Sequence, residues 1–167
     1  NFELEQAVVN TDPLVFETVF GESGSDLGQF RSPQGVAFGP NGFVYVTDSV
    51  NHSIQKFNSS GAVVSRWGTQ GANDGELYEP VGIAVADNGS IYVSEARNDR
   101  IQKFTSQGAF VRKWGIRGSG NGELDHPAGL AVAASSTPQA GDGNVYVADT
   151  DNHRIQIFDS EGNFVSN

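Results

Sequence analysis

Cysteine and methionine are both absent from the chain. Without cysteine there is neither a disulfide framework nor a thiolate metal site. Without an initiator methionine, the chain is expected to be processed or fragmentary. No apolar run approaches the roughly 20 residues that a membrane-spanning helix needs, and no secretory leader pattern is present. Basic side chains are scarce: 10 Lys and Arg stand against 20 Asp and Glu, a formal net charge of −10. A surface this acidic stays soluble and repels polyanions, so nucleic acid is not an expected partner. These absences set the expectation of a mature secreted or cell-surface protein from a prokaryote, with a cytoplasmic fragment as the alternative. Long helical periodicity is missing as well. The chain has instead 21 glycines and frequent β-branched and aromatic residues, a composition suited to short strands joined by tight turns.

Internal repetition organises the sequence. Pro33, Pro80 and Pro127 are spaced by 47 and 47, and Trp67 and Trp114 are also 47 apart. Val44-Tyr45-Val46 recurs as Ile91-Tyr92-Val93 and again as Val145-Tyr146-Val147, the last step being 54 residues. The seven extra residues fall in an Ala/Ser/Pro/Gly-rich stretch near 134–143, which reads as a loop insertion. Four strand patterns fill each repeat. In the second they are Gly82–Val85, Ser90–Glu95, Arg100–Phe104 and Ala109–Trp114, separated by glycine turns. The first of the four is continuously apolar, which predicts burial on both faces. Four strands in about 40–50 residues is the pattern of a β-propeller blade.

The residues that recur resemble the NHL repeat. In the third repeat the match runs through Pro127, Gly129, Asn144 to Asp149, Asn152, His153, Arg154, Ile155, Gln156, Phe158 and Gly162. The first repeat departs from it with Ser53 in place of Arg, and the second with Glu95 in place of Asp. The resemblance implies an all-β propeller with antiparallel four-stranded blades at 21–67, 68–114 and 115–167. Residues 1–20 form a partial blade or an exchange strand. Three blades do not close a ring, which takes about four to eight. The chain is therefore expected to be an open arc, or part of a larger ring, with two uncovered apolar flanks. Leu14, Phe16 and Phe20, aligned with the outer strands that end in Trp67 and Trp114, are the expected assembly residues.

Two sets of polar residues stand out. The first is a box that recurs in every repeat: Asp48 and Asn51; Glu95, Asn98 and Arg100; Asp149, Asn152 and Arg154. A box present in each repeat is expected to be a structural strut, its acid and arginine pairing across a turn that Asn caps. The second set is the varied loop tips on one rim: Arg31, Ser32, His52, Tyr78, Glu79, Arg97, Asp125, His126, Asp151 and His153. Varied tips on a constant scaffold are how binding faces are built. The expected role is a non-catalytic scaffold for protein partners, including copies of itself, or for a peptide or glycan. No cofactor is expected. The alternative is a metal-dependent lyase or hydrolase, with zinc held by His126, His153 and Asp149 or calcium by rim carboxylates. No nucleophile triad or phosphate loop is present.

Overall fold

A computed structural model describes residues 19–133 and 143–167. The strands in chain order are β1 (Glu22–Ser23), β2 (Gln29–Phe30), β3 (Pro33–Phe38), β4 (Val44–Asp48), β5 (Ser53–Phe57), β6 (Val63–Trp67), β7 (Pro80–Val85), β8 (Ile91–Glu95), β9 (Arg100–Phe104), β10 (Phe110–Trp114), β11 (Pro127–Val132), β12 (Val145–Asp149), β13 (Arg154–Phe158) and β14 (Phe164–Ser166). Three antiparallel sheets of four strands result, β3 to β6, β7 to β10 and β11 to β14, each paired in sequence order. The described residues contain no α-helix, only a 3-10 turn at Pro40–Gly42. The architecture is all-β, with three propeller blades that do not close on themselves. Leu14 and Phe16 lie outside the described residues, as does most of the proposed partial blade at 1–20.

The inner strands β3, β7 and β11 stand side by side. Glycine lets them approach. A Cβ on Gly35 would lie 2.5 Å from the Val81 carbonyl oxygen, and one on Gly82 would meet the Ala128 carbonyl oxygen. Hydroxyls bridge the same gap: Thr47 Oγ1 donates to Val81 O at 2.7 Å, and Ser94 Oγ to Ala128 O at 2.5 Å. On the far side of the blades, Lys56 Nζ donates to Ser106 O at 3.1 Å and Lys103 Nζ to Ser160 O at 2.9 Å.

Each core is shared between neighbouring blades. Tyr45 and Ile54 of the first blade complete a cluster made of Leu77, Ile83, Ile91, Val93 and Phe104 of the second. Tyr92 and Ile101 complete the next, around Leu124, Val145, Val147 and Phe158. The aromatic ending each outer strand wedges into the following blade in the same way. Trp67 sits 6.3 Å from the Phe104 ring and over Gly108; Trp114 sits 6.0 Å from the Phe158 ring and over Gly162. Phe20 takes that place on the first blade, 4.9 Å from the Phe57 ring and over Gly61.

Continuous apolarity does not translate into burial on both faces for all three inner strands. Only β7, flanked by blades on each side, is largely buried. In β3, Val36 and Phe38 are 63% and 77% exposed. In β11, Gly129 and Ala131 are exposed. The pattern of a strand is blind to whether its neighbour lies within the chain.

Candidate functional site

The recurring box is a buried strut. Glu95 is fully buried in β8 and accepts from four groups: the Tyr78 backbone N–H at 2.8 Å, Asn98 Nδ2 at 2.7 Å, Arg100 Nε at 2.5 Å and Gln102 Nε2 at 2.8 Å. Arg100 in turn donates to the carbonyls of Ala72, Asn73 and Glu76, fixing the loop that enters the blade. Asp149 repeats the arrangement with the Asp125 N–H, Asn152, Arg154 and Gln156. Arg154 donates to the carbonyls of Ser119, Gly120 and Glu123. Burial raises the Asp149 pKa. The Asp125 N–H, Arg154, Asn152 and Gln156 together outweigh it, so the carboxyl ends below its ordinary 3.8.

The first blade lacks this arginine and recruits another. Asp48 accepts from the N–H groups of Arg31 and Ser32 and from Asn51 Nδ2. Arg66, from outer strand β6, donates from Nε to Ser53 Oγ at 3.0 Å and from Nη1 to Ser25 O at 2.6 Å. Ser25, Ala72 and Ser119 are equivalent positions 47 residues apart, so Arg66 does for its loop what Arg100 and Arg154 do for theirs. Sequence reasoning missed Arg66 because it lies on a different strand from the box.

Acid titration should expose these struts. A carboxylate whose folded pKa is depressed contributes stability above its unfolded value and loses it as pH falls through the folded one. Besides Asp149, Glu76 is lowered by the Asn73 backbone N–H and Asp159 by the Asn163 side chain. Urea midpoints should therefore be flat from about pH 7 to 5 and fall below about pH 4. In Asp149→Asn the acid slope should be shallower. An unchanged slope would count against the strut.

The rim that carries the β4–β5, β8–β9 and β12–β13 turns also carries the loops between blades. Two cavities open there, one at each internal blade junction. Ser49, Val50, His52, Gln70, Tyr78 and Glu79 line the first, of about 440 Å³. The second, of about 240 Å³, is lined by Ala96, Arg97, Asp99, Arg117, Asp125 and His126, together with Asp151. The first six positions of each correspond one to one, 47 residues apart. An equivalent backbone-to-side-chain bond links the lining of each. Glu79 N–H donates to His52 Nδ1 at 3.2 Å, and His126 N–H to Asp99 Oδ1 at 2.9 Å. All four of these residues have left-handed φ, between 49° and 54°. That conformation costs a non-glycine residue about 1–3 kcal/mol.

On this common frame the chemistry diverges. The first cavity is mostly neutral, with His52 edge-on to Tyr78 at 5.4 Å between ring centroids. The second is lined mainly by Arg and Asp side chains, with Arg117 paired to Asp125 at 3.7 Å and Arg97 paired to Glu79 of the first cavity at 3.1 Å. The structure thus gathers seven of the expected binding residues into two cavities: His52, Tyr78 and Glu79 in one, Arg97, Asp125, His126 and Asp151 in the other. Arg31 and Ser32 fall on the first blade's flank and His153 on the third's. Gln70, Asp99 and Arg117 escaped the sequence reading, although their repeat positions vary as widely as the tips do. Asp149 does not join His126 and His153 in a metal set, because strut donors take its oxygens. Among the described residues, no three His, Asp or Glu side chains are grouped to hold a metal ion.

The NHL repeat family profile matches three times, at residues 30–57, 77–104 and 140–158. The chain is a tandem NHL-repeat protein. A 60-residue segment is 35% identical to the B-box type zinc finger protein ncl-1 of Caenorhabditis elegans; it is 36% of this chain and 7% of that protein. Solved structures that share the fold include the following two. A catalytically inactive virginiamycin B lyase from Staphylococcus aureus superimposes with a TM-score of 0.59 at 18% identity, over 81% of this chain and 40% of the other. A chain of a nidogen/laminin complex gives a TM-score of 0.55 at 24% identity, over 78% of this chain and 45% of the other. The NHL chain thus spans less than half the length of each of these proteins. At such identities the likeness establishes fold, and the fold alone hosts both enzymes and binding proteins.

Proposed function

We propose that this NHL chain is a non-catalytic scaffold whose turn-bearing rim receives a protein partner. One observation carries the reading: two cavities share position, backbone and an equivalent backbone-to-side-chain hydrogen bond, yet are lined by different chemistry. Conserving a frame while varying what it presents is how recognition surfaces work. Tyr78, Arg97 and Arg117 are residue types enriched where interfaces concentrate their energy. The net charge of −10 favours a protein over a polyanion. Against the lyase or hydrolase alternative stands the fate of the box carboxylates. Glu95 and Asp149 are buried and bonded to strut donors, with no oxygen offered to the rim. Among the described residues no helix is long and apolar enough to cross a membrane. Export from a prokaryotic cell remains our reading of the acidic, cysteine-free composition.

Photo-crosslinkers at Tyr78 and Arg97, on the rim, and at Asn88 and Gln107, on the opposite face, test this in an extract of the producing cells. The rim positions should capture one common polypeptide that the others do not. Alanine at both Tyr78 and Arg97 should weaken its binding at least about tenfold, the equivalent of ~1.4 kcal/mol. Equal capture from both faces would overturn the reading. So would stoichiometric zinc that disappears when His126 and His153 are replaced by Ala.

A further inference from the structure

We propose that the cavity between the first and second blades, on the face opposite the rim, binds a small organic carboxylate whose anionic end pairs with Lys56. The site shares no residue with the rim cavities and stands independently of what the rim binds.

A buried lysine recurs at both internal junctions, and only one of the two has a counter-charge. Lys56 on β5 and Lys103 on β9 are each 9% exposed. A buried charge is costly unless it is both paired and hydrogen-bonded. Lys103 meets both conditions: Nζ donates to Ser160 O at 2.9 Å and pairs with Glu161 Oε1 at 3.2 Å. Lys56 Nζ has the equivalent carbonyl, Ser106 O, at 3.1 Å. The place of Glu161 is held by Gln107, which brings no charge. Phe43 stands where the second blade has Ser90, with its ring centroid 3.8 Å from Lys56 Nζ. A ring face attracts the ammonium, but the group has three donors to satisfy. Among the described residues no carboxylate pairs with Lys56.

Space is present where the carboxylate is missing. Lys56 lines a cavity of about 230 Å³ with Pro40, Phe43, Tyr45, Asn88, Ser106 and Gln107. Lys103 does not line the corresponding cavity of the second junction, which is about 150 Å³. The class of guest follows from the group it replaces. Glu161 answers Lys103 with a carboxylate, so a carboxylate is what the free donors of Lys56 fit. The size of the guest follows from the volume, which is below the roughly 300–1,000 Å³ of sites for drug-sized ligands. Its charge is held to one, because Asp87 also lines the cavity and the whole chain carries −10. Pro40 and the Phe43 ring offer an apolar wall to the rest of the molecule. A protein segment with several acids is disfavoured by the same repulsion.

Acetate is the probe, titrated into the 167-residue chain near neutral pH, with sodium chloride holding the ionic strength constant. NMR signals of Lys56, Phe43 and Gln107 should shift saturably, with half-saturation below about 10 mM, within reach of so small a ligand. Acetamide, which has the shape without the charge, should leave them in place. Lys56→Met keeps the buried stem and should abolish the shifts, whereas Lys103→Met should not. Gln107→Glu should abolish them as well, because it places a carboxylate of the chain where Glu161 stands at the other junction. It should also raise the urea midpoint of the ligand-free protein, so the test survives a Lys56→Met variant that fails to fold. Shifts that do not saturate by about 100 mM acetate, a concentration far above the expected Kd, overturn the proposal. So do equal shifts with chloride alone, or a response to acetate that persists in Lys56→Met or Gln107→Glu. A Glu-rich peptide should bind more weakly than acetate; tighter binding would overturn the assignment to a small molecule.

Discussion

Alanine at Glu95 should destabilise the chain by about 3–5 kcal/mol, the cost of leaving a buried charge without its partner. The substitution removes the acceptor of four donors at once, from the backbone of Tyr78 and the side chains of Asn98, Arg100 and Gln102. Arg100, only 6% exposed, keeps its carbonyl partners but loses its counter-charge. The loss is large against a total stability of about 5–15 kcal/mol. Glu95→Asp should cost far less, because Asp149 holds the same set of donors in the third blade at 2.7–3.1 Å. Glu79→Ala is the control. Its pair with Arg97 is exposed, 36% and 58%, and exposed pairs contribute about 0–1 kcal/mol. Urea midpoints of the three variants decide. Equal midpoints for E95A and E79A would show that the box is not the strut.

Repetition is what made the fold legible, since a period of 47 residues locates strands, turns and box together. The observed strands of the second repeat, Pro80–Val85, Ile91–Glu95, Arg100–Phe104 and Phe110–Trp114, differ from the expected bounds by no more than two residues at an end. Legibility ended where equivalence breaks. Ser53 announces a missing arginine, but nothing local says that Arg66 from another strand supplies the guanidinium. The rim cavities were half visible. Tyr78 and His126 stand out as varied tips, whereas Gln70 and Arg117 look like ordinary loop residues until the fold sets them opposite the turns. Exposure of β3 and β11 was illegible for a different reason: a strand's apolarity records the burial it seeks, and the covering blade lies outside the repeat that is read.

Valine at Gly82 should open the junction between the second and third blades. The new Cβ would run into the Ala128 carbonyl oxygen and lie 2.9 Å from Ser94 Oγ and 3.1 Å from Leu130 N. Two of these three atoms are backbone, so relief requires the inner strands to separate. Separation strips Tyr92 and Ile101 from the core they complete and breaks the Ser94 bond to Ala128 O. Overpacking costs typically 1–3 kcal/mol and occasionally more; loss of a shared core places Gly82→Val at or above about 3 kcal/mol. The same mutation at Gly129 meets only the Ala148 Cβ at 3.7 Å and should be close to neutral in the monomer. Replacing a glycine at an ordinary backbone angle can even stabilise by about 0.4–1 kcal/mol, through the unfolded chain. Three positions with one sequence role thus predict different outcomes according to whether a blade follows: severe at Gly35 and Gly82, mild at Gly129. Thermal and urea unfolding of the three variants, at concentrations low enough to keep the chain monomeric, would separate them. Equal destabilisation at all three would mean that glycine serves the strand itself rather than the approach of its neighbour.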